Sequence, residues 1–101
     1  MATYIVLFGY TDQGIRNLKD SPARIKAAKK IFQGLGANVK DFYSVMGFGE
    51  YDTLFVVEAP DDETVSKASL KIDSLGNVRT DTHRAFTEEE FQKIVSNIPK
   101  Y

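Results

Sequence analysis

The residues best suited to chemistry form a row near the end of the chain, where Arg79, Asp81 and His83 occupy alternate positions. Alternate residues of a β-strand share one face, so Asp81 could orient the ring of His83 while Arg79 binds an anionic substrate. On an exposed edge strand the same row would only be a charged edge that discourages aggregation, and we favour this simpler interpretation.

A second candidate is the pair Tyr51–Asp52, which precedes an apolar run. A phenol and a carboxylate at the mouth of a strand could bind or deprotonate a small ligand. Alternatively, Asp52 could accept backbone hydrogen bonds in a turn while Tyr51 packs, which is the interpretation we favour. The candidate ligand-binding residues are therefore Tyr51, Asp52, Arg79, Asp81 and His83. Of these, His83 or Asp52 would be the acid or base if the protein is an enzyme.

Other chemistries lack the residues that they need. A single histidine and the absence of cysteine argue against a conventional zinc site, a disulfide or a thiolate nucleophile, so we expect neither a metal nor a cofactor. The segment Thr11–Gly14 could cradle an anion, but it lacks the glycine spacing and the lysine of a phosphate-binding loop. We interpret it as an ordinary strand-to-helix turn.

Charge and composition argue against several partners. The 101 residues carry a formal net charge of −1, which gives no reason to expect a nucleic acid or an anionic membrane as partner. The basic stretch Arg24–Lys30 is interpreted as a solvated helix face. No segment approaches the ~20 apolar residues of a membrane span. The absence of cysteine fits a cytoplasmic protein.

Hydrophobic patterning predicts one domain, residues 1–101, in which strands and helices alternate. The predicted strands are Thr3–Gly9, Asn38–Gly47, Thr53–Ala59 and Asn77–Phe86. Two amphipathic helices lie between them, the first with Ser21 as N-cap and the second capped by Asp61. Their apolar stripes are Ile25, Ala28, Phe32 and Leu35, and Val65, Ala68, Ile72 and Leu75. Thr87 and Glu90 form the capping box of a C-terminal helix.

This order of elements, β-α-β-β-α-β, predicts a ferredoxin-like α+β fold with a four-stranded antiparallel sheet in the order 4-1-3-2 and an additional C-terminal helix. Strands one and three are apolar on both faces, whereas two long helices can cover only one. A bare apolar face is costly for a monomer, so we expect a homodimer or larger assembly packed sheet to sheet, as in a dimeric α+β barrel. The C-terminal helix is the alternative cover.

The segment Gly49-Glu50-Tyr51-Asp52 is similar to the G-x-Y-D signature of the GYD domain family. Further segments resemble the family in the right order over nearly the whole chain, namely 2–6, 11–16, 58–63, 74–80 and 84–87. Met46–Gly49 departs from the pattern, with an extra glycine and an aromatic residue before the signature, so we expect a loop of different shape there. The resemblance implies a fold like that of dimeric α+β barrel proteins and says little about function.

Three functions are consistent with these features. The first is a non-catalytic small-molecule-binding or regulatory module that acts as a homo-oligomer, and it is the one we favour. The second is a small cofactor-free enzyme of the dimeric barrel type that uses His83, Asp52 or a tyrosine as acid or base. The third is a structural assembly unit. A titratable group in a polar cavity would favour the enzyme, and an apolar cavity would favour binding.

Overall fold

The four strands form one antiparallel sheet, and the helices alternate with them in the predicted order. The computed structural model describes all residues from 1 to 101. The strands are β1 (Ala2–Tyr10), β2 (Asn38–Ser44), β3 (Thr53–Ala59) and β4 (Val78–Ala85). The helices are α1 (Asp12–Arg16), α2 (Ser21–Gly34), α3 (Asp62–Ser74) and α4 (Glu88–Ser96), with a 3-10 turn at Leu18–Asp20.

The strands lie in the order β2-β3-β1-β4, which is the order 4-1-3-2 counted from the opposite edge. The two most apolar strands are therefore central, because an apolar strand is covered best when it has a neighbour on each side. Ile5 of β1 lies opposite Val56 of β3 and His83 of β4. The second strand ends at Ser44, earlier than the predicted Gly47, because residues 45–52 form a loop.

The core lies on the face of the sheet that α2 and α3 cover. Val6 and Phe8 of β1 and Phe55 and Val57 of β3 are buried there. The ring of Phe55 meets those of Phe8 and Phe32 edge to face, with centroid separations of 4.9 and 5.9 Å. From the helices, the predicted stripes contribute Ala28, Phe32, Val65, Ala68 and Ile72.

The opposite face of the sheet, called the open face below, has an apolar centre without a helix over it. Ile5, Leu54 and Val56 point away from the core and stay partly exposed. The sequence predicts that both faces of the central strands are covered. In the single chain, helices cover only the core face.

The start of α2 differs from the sequence prediction. Ser21 is not the N-cap, because the 3-10 turn runs directly into α2 and makes Asp20 the capping position. Ser21 is already helical, with φ −54° and ψ −44°, and its side chain is buried. Its hydroxyl lies 2.9 Å from the phenol oxygen of Tyr10 and forms a hydrogen bond there instead of capping a helix.

The other predicted caps are confirmed. At the start of α3, the Asp61 side chain accepts a backbone hydrogen bond of 2.9 Å. Thr87 and Glu90 form the capping box of α4. The last leucines of the two predicted stripes, Leu35 and Leu75, lie just beyond the ends of α2 and α3 and are half exposed, so they do not belong to the core.

The C-terminal helix α4 stands apart from the rest of the chain. None of its residues is buried: Phe91, Ile94 and Val95 are 42–58% exposed, and Ile98, just beyond the helix, is 62% exposed. The radius of gyration is 15.2 Å, above the ~13 Å expected of a compact chain of this length. The helix therefore does not cover the open face of its own sheet, contrary to the alternative drawn from the sequence. No helix combines the length and apolarity that crossing a membrane requires.

Candidate functional site

Three of the predicted site residues meet on the open face, at the edge formed by β4. The Tyr51 hydroxyl donates a 2.9 Å hydrogen bond to Asp81 Oδ2, and His83 Nε2 lies 3.2 Å from the same oxygen. Asp81 pairs with Leu7 and His83 with Ile5, so this Tyr51–Asp81–His83 cluster borders the apolar centre of the open face. Asp81 and His83 therefore share one face of β4, and Tyr51 contacts that face through a hydrogen bond.

Tyr51 reaches Asp81 because the loop of residues 45–52 crosses over β1 at Gly9. A Cβ placed on Gly9 would lie 2.7 Å from the Glu50 carbonyl oxygen, so only glycine permits this close approach. Gly47 and Gly49 have φ of +69° and +66°, a backbone conformation that glycine adopts far more readily than other residues. The extra glycine before the signature thus shapes the loop that carries Tyr51.

Asp52 anchors the end of the same loop. Its backbone N–H donates to the Phe8 carbonyl at 2.8 Å, and its carboxylate accepts the Tyr10 N–H at 2.9 Å. The Asp52 carboxylate thus takes the place of a backbone carbonyl and extends the hydrogen bonding between β1 and β3 by one position, where the loop backbone leaves the sheet. This geometry agrees with the structural interpretation of Asp52, and the structure does not bring its carboxylate together with the cluster.

Arg79 lies next to the cluster without joining it. It pairs with Gly9 on the open face, and its Nη2 atom would lie 3.7 Å from a Cβ on that glycine. Its guanidinium has no hydrogen bond to a protein side chain and no ion pair, although it lies on the same strand and face as Asp81. The open face therefore presents one unpaired cation beside the cluster.

The hydrogen bond between Tyr51 and Asp81 moves both pKa values away from neutrality. Donation from Tyr51 lowers the pKa of the Asp81 carboxyl below its ordinary value, and the neighbouring His83 acts in the same direction. The same bond raises the pKa of the Tyr51 phenol above its ordinary 10.0. A group that transfers protons near neutral pH needs a pKa closer to 7, so this pair is better suited to holding a fixed geometry than to exchanging a proton.

The segment Thr11–Gly14 has its polar groups engaged inside the domain. The Thr11 hydroxyl donates to the Gly76 carbonyl at 2.7 Å and accepts the Gly14 N–H at 3.1 Å. Gly14 packs so closely on Asn77 that an added Cβ would lie 1.9 Å from its carbonyl oxygen. This is the strand-to-helix turn expected from the sequence. No three side chains of metal-ligating type come together anywhere in the chain.

The glycine inside β1 was not identified as a site residue from the sequence, although a signal for it exists. A glycine within an otherwise apolar strand often marks a close approach of another backbone, which is what Gly9 permits. Nothing in the sequence identified the partner as Glu50 and Tyr51, because that contact depends on how a loop distant along the chain folds back.

These features define a small α+β domain of the ferredoxin-like type, in which a loop places Tyr51 of the signature segment over the open face of the sheet. The leucine response regulatory protein of Mycobacterium tuberculosis shares the fold, with a TM-score of 0.61 and 21% identity over 85% of this chain and 51% of that one. This chain spans about half the length of that regulator, and at this identity the likeness shows the fold alone.

The chain belongs to the GYD domain family, whose model matches residues 4–95, as the signature segment predicts. It is 41% identical over 86 residues to the glutamine synthetase and cystathionine beta-lyase binding protein of Thermus thermophilus, covering 84% of this chain and 88% of that protein. The solved structure of TTHA0845, also from Thermus thermophilus, has a TM-score of 0.54 and 29% identity, covering 86% of this chain and 95% of that one.

Proposed function

We propose that the protein is a homodimeric binding or regulatory module in which a second copy covers the open face, giving a dimeric α+β barrel. The observation that carries the proposal is the apolar centre formed by Ile5, Leu54 and Val56, which no helix of the chain covers. Apolar side chains gathered on a sheet face are typical of an interface in a soluble protein.

The border of the open face supports the same packing. Asp81 and His83 on β4 lie at one edge, and Asp41 and Tyr43 on β2 lie at the other. An apolar centre with a polar rim is the usual anatomy of a protein interface. In a two-fold dimer each rim residue occurs twice, so the Tyr51–Asp81–His83 cluster would lie at the seam of the barrel, where a ligand could contact both copies.

The name of the Thermus thermophilus relative supports a regulatory role exercised by contact with an enzyme. We extend this to the present chain as part of the proposal: the dimer binds a metabolic enzyme of the glutamine synthetase or cystathionine beta-lyase class. Biolayer interferometry with purified glutamine synthetase and cystathionine beta-lyase of the source organism tests it. Saturable binding to at least one of them supports this extension, and absence of binding to both refutes it without affecting the dimer.

The alternative of a cofactor-free enzyme is less well supported. Asp52 is engaged with the backbone N–H of Tyr10, and the pKa values of Tyr51 and Asp81 are shifted away from the range useful for proton transfer. A binding role requires neither a free base nor a perturbed acid, so it fits the site better.

A cytoplasmic location remains a prediction from the absence of cysteine.

The dimer is tested by placing a charge at the centre of the open face. Leu54→Lys should convert the protein to a monomer in sedimentation velocity, because a buried unpaired ammonium at an interface is costly. Leu70→Lys is the matched control, since Leu70 is an exposed leucine on the far side of α3. If wild-type protein is dimeric and Leu54→Lys stays as dimeric as Leu70→Lys, the interface is not on the open face.

A further inference from the structure

A crevice lies between α2 and the sheet, on the side opposite the open face. It has a volume of about 90 Å³ and is open to solvent. Its walls are mainly apolar and include Phe8, Phe42 and Phe55 from the sheet and Ile25 and Ala28 from α2. Protein interiors are normally packed without gaps of this size, so a crevice lined by aromatic rings is a candidate for a ligand.

One wall of the crevice is polar and carries a cation. Arg24 is only partly exposed, and its Nη2 donates to the Gly14 carbonyl at 3.0 Å and to the Ser21 hydroxyl at 3.2 Å. The Ser21 hydroxyl is also 2.9 Å from the Tyr10 phenol oxygen, so buried and partly buried groups hold the guanidinium in place. Ser21, which the sequence predicts as a cap, is instead part of this support.

Arg24 has no acidic partner. No carboxylate lies within 4.0 Å of it, and its Nη1 and Nε atoms make no hydrogen bond to the protein. A guanidinium has five donors in a planar fork that matches a carboxylate, and Arg24 engages only its Nη2 atom. From the sequence, Arg24 is interpreted as part of a solvated basic face. In the structure it lines an apolar crevice, and its Nη1 and Nε donors have no partner in the protein.

We propose that this crevice binds a small monocarboxylate with an apolar body, such as an arylacetate or a short branched-chain acid. The apolar body would lie among Phe8, Phe55 and Ile25, and the carboxylate would pair with Arg24. The crevice volume is of the same order as that of engineered cavities that accept benzene, ~150 Å³, and the open mouth leaves room for the carboxylate.

The lining also predicts what the site rejects. None of its residues is an aspartate or a glutamate, so the ammonium group of an amino acid would find no counter-charge there. The site should therefore prefer a simple acid to the amino acid with the same side chain. This site is separate from the open face and does not depend on the dimer or on an enzyme partner.

The test is a titration of the full-length protein with phenylacetate, followed by two-dimensional amide NMR. We expect saturable shifts at Phe8, Phe55 and Ile25, a dissociation constant no weaker than about 10 mM, and at least ~10-fold weaker binding of L-phenylalanine. Saturation without shifts at these residues, or no binding by about 10 mM, overturns the proposal.

Two variants separate the carboxylate contact from non-specific attraction. Arg24→Gln should weaken phenylacetate binding at least ~10-fold, because it removes the charge-assisted pair while keeping a side chain that can reach Ser21. Lys26→Gln removes the same charge from an exposed position of the same helix and should leave binding unchanged. Equal affinities of the two variants refute the role of Arg24, provided that Arg24→Gln has a native amide spectrum. If that spectrum is lost, Arg24→Lys, which keeps the charge without the fork, should still bind more weakly than Lys26→Gln, and equal binding overturns the proposal.

Discussion

Replacing Gly9 with alanine should push the loop of residues 45–52 off the sheet. The new methyl group would lie 2.7 Å from the Glu50 carbonyl oxygen and 3.6 Å from the Tyr51 ring. The closer contact is with backbone, which cannot rotate away as the end of a flexible side chain can. Relief therefore requires the loop to move, and with it the tyrosine that donates to Asp81.

The expected cost follows from two opposing effects. Overpacking of a well-fitted contact destabilises by about 1–3 kcal/mol. Alanine also restricts the unfolded chain more than glycine does, which stabilises by about 0.4–1 kcal/mol. We therefore expect Gly9→Ala to lower the free energy of unfolding by roughly 0–2.6 kcal/mol, and the middle of both ranges gives ~1.3 kcal/mol.

Urea unfolding of Gly9→Ala and Gly34→Ala, each compared with wild type, measures this cost. Gly34 is the matched control, since a Cβ there would meet nothing within 4 Å and its φ is not positive. Alanine at the end of α2 should be neutral or stabilise by up to about 0.5 kcal/mol. If Gly9→Ala unfolds at the same urea concentration as Gly34→Ala, the loop does not rest on Gly9.

Three further predictions follow from the contacts of single side chains. Tyr51→Phe should be less stable than wild type at neutral pH, as measured by urea unfolding. The difference in stability should fade as pH falls through the lowered pKa of Asp81 and as pH rises through the raised pKa of Tyr51. A difference that does not change with pH would contradict the hydrogen bond between Tyr51 and Asp81. Ile72→Ala should cost about 2–5 kcal/mol by thermal or urea unfolding, whereas Leu70→Ala on the exposed side of α3 should stay within about 0.5 kcal/mol, and similar costs would contradict the placement of α3. Thr87→Ala should cost α4 about 1 kcal/mol of local stability, seen as faster amide exchange in that helix, and a lowered midpoint of the whole domain would show that α4 is packed after all.

The fold was predictable because its signals are local or periodic. The apolar runs at Tyr4–Phe8 and Leu54–Val57 indicated central strands, and the structure places both in the middle of the sheet. Asp61 and Thr87 have the side chains that cap helices, and both do so. Ser21 shows the limit of this reasoning, because its capping potential was overridden by a 3-10 turn that continues straight into α2.

The site was predictable only in part. The alternation of Arg79, Asp81 and His83 put these side chains on one face without any knowledge of the neighbouring strands. The bond from Tyr51 to Asp81 was not predictable, since it depends on a loop crossing β1 at Gly9. Tertiary contacts between segments distant along the chain leave no periodic signal in the sequence.

Arg24 illustrates the same limit on the other side of the sheet. Among the lysines of α2 it looks like one more solvated charge, and helical spacing alone does not distinguish it from them. Its role is set by the Gly14 carbonyl and the Ser21 hydroxyl, which orient it beside the crevice. The two proposed binding sites, the open face and the crevice, lie on opposite faces of the sheet.

In the proposed dimer, a second copy of the chain covers the open face of the sheet. Native mass spectrometry of the purified protein at low micromolar concentration tests it most directly, because it reports the number of subunits and any ligand that remains bound. A dimer through the open face should give a species of twice the chain mass or a larger even multiple. A spectrum that contains only the single-chain mass under these conditions would contradict it.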